Sequence, residues 1–229
     1  MKLLITTRAD DGIKAMTDYT HPTIEYYAEK VGADFKVMSH KSDCNHNQGK
    51  WHYRILKHYD LFEEYDRILH LDSDMIITPN CPNIFDVVPY ESIGTAYEDK
   101  GSRSADRRSR IVNAKTIFGD IEWSEGYINT GVFLTSKIHR NIFQTIDGKY
   151  YEDNGFDDVH LGYLINKYNF KVHELDYKWN HMTMFSESWN GSPSRFNSHI
   201  LHYAGAGTYD KLNRVEQIKS DIYHFYKGE

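Results

Sequence analysis

Short apolar runs alternate with amphipathic segments over about the first 75 residues of the chain. The runs KLLITT, FKVMS and RILHL are typical of buried strands. Between them, HPTIEYYAEKVGADF and WHYRILKHYDLFEEY repeat their apolar residues at a helical spacing. Alternation of strand and helix is the signature of a parallel sheet with right-handed crossovers, so the pattern predicts an α/β fold.

The remainder of the chain continues with strands and helices and contains no repeat, low-complexity tract or linker. We therefore expect one domain over residues 1–229. The elements predicted there are strands at ESIGTAYED, YINTGVFLTS and HILHYAGAG, a helix at DDVHLGYLINKYN, and a closing helix over about residues 213–227.

Two aspartates, Asp72 and Asp74, come directly after the apolar run RILHL. Carboxylates two residues apart on an extended chain point to the same face and repel each other, so a compensating cation is expected. Oxygen ligands suit Mg²⁺, Mn²⁺ or Ca²⁺. Ligands of open parallel sheets bind beyond the carboxyl ends of the strands. The loop TTRADD also follows a strand, and we expect it on the same rim as the aspartates.

Two other readings of this D-x-D pair depend on its neighbours. A calcium loop of the EF-hand type needs Asp or Asn at position 76 and Gly at 77, but both are isoleucine. A haloacid-dehalogenase-like phosphatase usually has its D-x-D near the start of the domain, with Thr or Gly at the fifth position. Ile76 and the long preceding segment weaken that reading, whereas the later pair Asp157 and Asp158 supports it.

Composition and charge further narrow the classes of function and location that fit the chain. The chain of 229 residues has a net charge of -6 and a pI near 6.1, which gives no general attraction to nucleic acid. Cys44 and Cys81 have no metal-binding or disulfide-rich spacing, and free thiols are expected. No apolar stretch approaches the ~18 residues of a membrane span. These features predict a cytoplasmic protein, including the cytoplasm of an infected host cell.

The order of four motifs resembles that of the GT-A glycosyltransferases, in particular glycosyltransferase family eight and its viral and phage relatives. The matching pieces are YDRILHLDSDMII, YINTGVFLTSK, DDVHLGYLI and HILHYAG, which with the N-terminal half cover most of the chain. The resemblance implies a GT-A, Rossmann-like nucleotide-diphospho-sugar transferase fold, with a mixed, mainly parallel sheet flanked by helices. It also implies a nucleotide-binding half at 1–78, ending in the D-x-D, and a donor-sugar and acceptor half at 79–229.

The resemblance also implies a metal site made of Asp72, Asp74 and His202, with Mn²⁺ or Mg²⁺ as the cofactor. His202 stands in HYAG, where the family has histidine-x-x-glycine. His199 is its near competitor, but residues three apart on a strand face opposite sides, so only one of them reaches the rim. The following Gly205 favours His202.

The donor site implied by the resemblance draws on several loops. The segment at 129–131 would contact the donor sugar, and the end of the first strand would seat the base and ribose. The glycine-rich turn would let backbone N–H groups approach a diphosphate. The first lysine after this turn comes later than in the family, and the family's proline is absent. The donor-site residues are Thr6, Thr7, Arg8, Arg54, Asp72, Ser73, Asn129, Thr130, Gly131, Gly205, Gly207 and Lys211.

Asp157 and Asp158 are the predicted catalytic residues, because the family has an acidic residue and a polar residue at this place beside the reacting sugar carbon. Asp158 stands where glutamine is frequent. Whether the reaction inverts or retains the anomeric centre stays open, since carboxylate geometry decides it. An arginine-rich segment precedes these residues, and we interpret it as a solvated charge run rather than a diphosphate or acceptor contact. Its arginines are Arg103, Arg107, Arg108 and Arg110.

The predicted function is a manganese-dependent, hexosyltransferase-like enzyme. It would move a sugar from a nucleotide-diphosphate sugar, with UDP-sugars favoured, to a hydroxyl of a glycan or other acceptor. A phosphatase with Asp72 as nucleophile and a catalytically silent nucleotide- or glycan-binding module are the alternatives. Loss of turnover with EDTA favours the first, hydrolysis of simple phosphate esters the second, and donor binding without reaction the third.

Overall fold

The computed structural model describes residues 1–39, 51–185, 187–192, 194–205 and 213–226. The strands are β1 (Leu3–Arg8), β2 (Asp34–Met38), β3 (Arg67–Leu71), β4 (Met75–Ile77), β5 (Ser92–Tyr97), β6 (Ile128–Ser136), β7 (Lys171–Glu174), β8 (His181–Met182) and β9 (Ile200–His202). The helices are α1 (Lys14–Val31), α2 (His58–Leu61), α3 (Ile84–Val87), α4 (Ser104–Phe118), α5 (Phe156–Lys167) and α6 (Arg214–Tyr226).

A six-stranded sheet with the order β2-β1-β3-β6-β5-β7 forms the centre of the molecule. The pairs β1–β2, β1–β3 and β5–β7 are parallel, and β6 runs antiparallel to both of its neighbours. The sheet is therefore mixed and mainly parallel, as predicted. A smaller sheet with the order β4-β9-β8 lies beyond the end of β3.

Neighbouring residues of the central strands send their side chains into different apolar clusters, because side chains alternate across a sheet. Leu4 packs in a cluster that also contains side chains of α4 and α5. Ile5 packs in another, with residues of α1 and α3. The central sheet is thus covered by helices on both faces.

Two helical segments differ from the sequence prediction. Helix α1 begins at Lys14, well before the predicted His21, and Pro22 lies inside it. Met16, Thr17 and Thr20 are buried along the added turns, so packing outweighs the helix-breaking tendency of the proline. The segment WHYRILKHYDLFEEY forms a 3-10 helix over Trp51–Lys57 and only one α-helical turn, at His58–Leu61.

The predicted C-terminal helix is confirmed by α6, whose Ile218 packs against Ile76 and Leu201 of the small sheet. Cys81 is buried and unpaired, and Cys44 lies outside the described residues. Within the described ranges, no helix is both long enough and apolar enough to cross a membrane.

Candidate active site

The parallel strands β1 and β3 end beside each other and bring Arg8 close to Asp72. Thr6 of β1 is in register with His70 of β3. Arg8, two residues after Thr6, therefore lies level with Asp72, which directly follows β3. Arg8 Nη2 donates to Asp72 Oδ1 over 2.8 Å, with only 11% of the arginine side chain exposed. The prediction that the first loop and the D-x-D share one rim is confirmed.

The small sheet brings His202 to the two aspartates. Met75 of β4 is in register with His202 of the antiparallel β9, one residue after Asp74. His202 Nε2 lies 3.6 Å from Asp72 Oδ2 and 3.3 Å from Asp74 Oδ1. One ligand atom from each of the three residues lies within 4.8 Å of the others. His199, the competitor, instead packs its ring on Trp179 at 4.8 Å between centroids.

The hydrogen bonds behind His202 determine which ring nitrogen faces the aspartates. Gly131 N–H donates to Asn129 Oδ1 over 2.9 Å, and Asn180 Nδ2 donates to the same oxygen over 2.8 Å. Asn180 therefore presents its own oxygen to His202 Nδ1, 2.9 Å away. Nδ1 must carry the proton, which leaves Nε2 of the neutral ring as a lone-pair donor.

This donor set fits a divalent cation. Two carboxylates and one oriented imidazole suit Mn²⁺ and other borderline metals, whereas Mg²⁺ prefers oxygen alone. Burial lowers the pKa of His202, but the Asp74 and Asp72 carboxylates raise it more, and the net direction is upward. A proton therefore competes with a cation for Nε2, and cation binding is expected to weaken as the pH falls.

Gly131 leaves the space that the His202 ring occupies. A Cβ at this position would lie 2.6 Å from His202 Cε1 and 2.8 Å from Asn129 Oδ1, both too close for real contacts. The glycine of the INTG motif is therefore needed here for the packing of the candidate metal ligand.

We expect Gly131→Ala to lower the free energy of unfolding by about 1–3 kcal/mol, as overpacking of a core does. It should also weaken Mn²⁺ binding, because the methyl group pushes His202 away from the aspartates. Urea denaturation and calorimetric Mn²⁺ titration measure the two effects. Gly12→Ala is the control, since its added Cβ meets only the exposed Asp10 side chain, at 3.0 Å. Unchanged Mn²⁺ affinity in Gly131→Ala would contradict the packing argument.

The acidic pair at the start of α5 reaches the same rim. Asp157 Oδ2 accepts a hydrogen bond from Arg8 Nη1 over 2.7 Å, and Asp157 Oδ1 lies 3.4 Å from His52 Nδ1. Asp158 Oδ1 accepts from the backbone N–H and the hydroxyl of Thr130, each over 2.8 Å. Arg8 thus joins Asp157 to the metal-ligand candidate Asp72.

The two carboxyl groups differ in protonation. Burial raises the pKa of Asp158 to about 8, and the charges of Asp157 and Glu98 add to that rise. Burial acts in the same direction on Asp157, but the Arg8 guanidinium and His52 overcome it and hold its pKa at about 2. Near neutral pH the pair therefore consists of one carboxylate and one carboxylic acid, an arrangement found where acid and base roles are separated.

Two buried residues that the sequence did not single out complete this side of the site. Glu98 follows β5 and accepts from Asn129 Nδ2 and from Arg107 Nε, each over 2.5 Å. Asn180 joins Asn129 to His202. Glu98 and Asp99 directly follow the apolar run of β5, which was a weak sequence signal for Glu98. Asn180 belongs to no recognisable motif.

The arginine-rich segment forms helix α4, and the interpretation as a solvated charge run is wrong for Arg107. Its side chain is 7% exposed and forms an ion pair with Glu98. Arg108 contacts Asp99, and Arg110 contacts Asp106. Arg103 lies over the ring of Phe185, 4.9 Å from its centroid.

Three predicted donor-site residues, Thr6, Thr7 and Ser73, lie at the ends of β1 and β3, and their hydroxyl groups form contacts within the protein. Thr6 Oγ1 lies 2.9 Å from His58 Nε2 and 3.1 Å from His70 Nδ1, whereas Thr7 Oγ1 lies 3.1 Å from Ser73 Oγ. Ser73 Oγ also donates to the carbonyl of Arg8. These contacts hold the β1 and β3 ends together.

Arg54 and the glycine-rich turn were also predicted to contact the donor. Arg54 Nη1 donates to the carbonyls of Met38 and Ser39, each over 3.0 Å, and its guanidinium stacks on Trp51. Gly205 has a φ of +63°, which favours glycine. The remaining predicted donor contacts, Gly207 and Lys211, lie outside the described residues.

Comparison with known proteins gives matches at the level of structure. The apo structure of the bifunctional glycosyltransferase WbbM matches with a TM-score of 0.67 at 12% identity, covering 99% of this chain and 50% of that one. A glycosyltransferase involved in glycosylation of the major capsid of PBCV-1 matches with a TM-score of 0.59 at 14% identity, covering 96% and 98%. The chain has the GT-A fold.

The galactosyltransferase LgtC in complex with donor and acceptor sugar analogs is similar as well. Its TM-score is 0.57 at 16% identity, and the match covers 98% of this chain and 96% of that one. The chain thus spans half of the WbbM chain and nearly all of the other two. No protein-family profile and no curated protein sequence matches the chain. The fold class predicted from the sequence is confirmed, and membership of family eight stays a prediction.

Proposed function

We propose that this protein is a metal-dependent glycosyltransferase, related to family eight, that moves a hexose from a nucleotide-diphosphate sugar to an acceptor hydroxyl. A UDP-sugar is the favoured donor and Mn²⁺ the favoured cation. The observation that carries the proposal is the meeting of Asp72, Asp74 and His202 at the carboxyl rim of a GT-A sheet. A cation held by these three residues would stabilise negative charge on a leaving diphosphate.

The chain's own side chains divide the remaining roles. Arg8 adds a fixed positive charge between Asp72 and Asp157, close to where a diphosphate would lie. The ionised Asp157 suits stabilisation of an oxocarbenium-like transition state in a retaining reaction better than deprotonation of the acceptor hydroxyl in an inverting one, because a carboxylate with a pKa of about 2 is a weak base. The protonated Asp158 suits donation of a hydrogen bond to the substrate. Asn129, two residues before Gly131, would bind the donor sugar.

The nucleotide would lie beyond the ends of β1 and β2. Arg54 holds the carbonyls of Met38 and Ser39 at the end of β2 and stacks on Trp51, which gives this side of the rim a fixed shape. In open α/β sheets, nucleotides usually bind beyond the carboxyl ends of the parallel strands. The phosphatase alternative has less support, because the Arg8 guanidinium binds Oδ1 of the proposed nucleophile Asp72.

We expect a UDP-hexose at about 100 times its Kd to raise the melting temperature by about 5–10 °C when Mn²⁺ is present. Without the metal, the shift should be small, because the diphosphate then meets the two aspartates directly. A thermal-shift panel of UDP- and GDP-sugars, each with Mn²⁺ or with EDTA, measures this. Asp18→Asn, on an exposed face of α1, is the control variant. Full turnover in EDTA would overturn the metal requirement.

A further inference from the structure

A cavity of about 370 Å³ lies beside the candidate active site, on the β5–β7 side of the sheet. Asn180 forms part of its wall, and the same side chain donates to Asn129 and accepts from His202. Ala96, another wall residue, is in register with Asn129 across β5 and β6. The cavity therefore opens directly next to the residues proposed to hold the donor sugar and the cation.

The position of the cavity separates it from the nucleotide. The strand order is β2-β1-β3-β6-β5-β7, and the two metal-ligand aspartates follow β3. The proposed nucleotide region lies at β1 and β2, whereas the cavity is lined by the ends of β5 and β7. A molecule in the cavity would thus approach the donor sugar from the side opposite to the nucleotide, which is where an acceptor has to be.

The lining combines aromatic rings with polar groups. Tyr97, Tyr177 and Trp189 contribute the rings, and Lys100 forms an ion pair with Glu174 at the mouth. A sugar ring has an apolar C–H face that stacks on aromatic side chains, and hydroxyl groups that bond to amides and charged groups. A cavity of this size holds a small ligand of one or two sugar rings.

The charge of the lining bears on the kind of acceptor. Lys100 is balanced by Glu174, and Asp176 adds a further negative charge. An anionic acceptor, such as a phosphate or a sialylated glycan, would find no excess positive charge here. Neutral hydroxyl groups are able to both donate to the carboxylates and accept from the lysine.

Hydrogen bonds and packing within the chain hold these rings in place. The Asn190 side chain accepts from Met182 N over 3.2 Å and donates to the carbonyls of Met182 and Phe185, over 2.7 and 3.1 Å. Gly191, at a φ of +75°, lies so close to Tyr177 that a Cβ would be 2.4 Å from the ring. The Trp189 ring packs on Phe185 at 5.1 Å between centroids. The cavity is therefore preorganised.

We infer that this cavity is the acceptor site and that it binds a neutral glycan, with one pyranose ring against Trp189 and Tyr177. The inference rests on the proposed glycosyltransferase function. It adds the class of acceptor to that function and assigns Glu174 and Lys100 to its hydroxyl groups.

The test measures sugar binding without donor and without metal, using the full chain. A panel of methyl hexosides and neutral disaccharides, including lactose, maltose and cellobiose, is screened by saturation-transfer NMR and titrated by calorimetry. We expect at least one neutral sugar to bind, and Trp189→Ala to weaken it by about tenfold or more. Glu174→Gln, an exposed change that preserves shape, should weaken binding several-fold. Tyr168→Ala, an exposed aromatic on the far end of α5, is the control.

Two further measurements separate this inference from the proposed function. The UDP thermal shift should be unchanged in Trp189→Ala, and the acceptor KM should rise while the donor KM stays constant. Loss of UDP binding in this variant, or unaltered sugar binding in both variants, would overturn the acceptor assignment. Transfer activity with an unaltered acceptor KM would overturn the assignment and leave the proposed function intact. If the wild type binds a neutral sugar and Trp189→Ala does not, but the wild type transfers sugar from no donor, the proposed function alone would be overturned.

Discussion

Asp74→Asn is expected to reduce the rate of sugar transfer at least about a hundredfold, because electrostatic stabilisation of a leaving group is commonly worth that much or more. The amide keeps the size of the carboxylate but removes its charge. Asp74 Oδ1 lies 3.3 Å from His202 Nε2, so the change also removes one of three candidate ligands. Steady-state transfer from a UDP-hexose, together with Mn²⁺ titration by calorimetry, measures both losses.

The fold of this variant should persist, because the backbone carbonyl of Asp74 still accepts from Tyr203 N–H over 2.9 Å. Asp18→Asn serves again as the matched control for removal of an exposed carboxylate. Normal transfer by Asp74→Asn, with unchanged Mn²⁺ affinity, would exclude Asp74 from the cation site.

Asp158→Asn is expected to lower transfer by at most about tenfold, because the amide still donates a hydrogen bond to the substrate and a typical hydrogen bond is worth only about 1 kcal/mol. At the same time it should gain stability relative to the wild type as the pH rises. Asp158 in the folded protein has a pKa of about 8, whereas an unfolded aspartate ionises near 3.8. Between these values the folded state holds more protons than the unfolded state, so wild-type stability falls with rising pH.

The asparagine has no proton to lose, and its oxygen still accepts from both donors of Thr130. Its advantage over the wild type should therefore grow between pH 4 and pH 8. The charged and titratable groups around Asp158 are Asp157, Glu98, Arg107 and Tyr127, all unchanged in the variant. Urea denaturation in EDTA across this range measures the difference. Asp147→Asn, at an exposed turn, is the control. A stability difference independent of pH would show that Asp158 is already ionised.

The sequence was most informative where local pattern and global position agree. The apolar runs before Arg8 and before Asp72 predicted two parallel strands, and parallel strands must end at one rim. That rule placed both residues at one rim, and the adjacency and register of β1 and β3 then bring them into contact. His202 was found by resemblance to a motif. Strand alternation allowed only one of His199 and His202 to reach the rim, and the following Gly205 favoured His202.

Residues whose role depends on distant partners were not predictable in this way. Asn180 belongs to no motif and Glu98 only to a short acidic pair, and both matter because β6 brings Asn129 to them. Arg107 belongs to a charged stretch that resembles a solvated surface. Only the position of Glu98 in the folded chain explains why this arginine is buried.

The direction of β6 could not be predicted from the sequence either. The nine residues of β6 are all buried and read as a strand in either orientation. Because β6 runs antiparallel, its first residues, with Asn129 and Gly131, lie at the rim where the parallel strands end. A parallel β6 would have placed Asn129 and Gly131 at the opposite ends of the strands, away from this rim.

The same antiparallel strand has a consequence for synthesis on the ribosome. All five residues of β3 are buried, and one of its edges is paired by β6, which is translated much later. At about 5–20 residues per second, this edge stays open for several seconds of every translation cycle. An apolar strand with an open edge is prone to pair with other chains. We expect nascent chains that stall between the two strands to aggregate or to recruit chaperones.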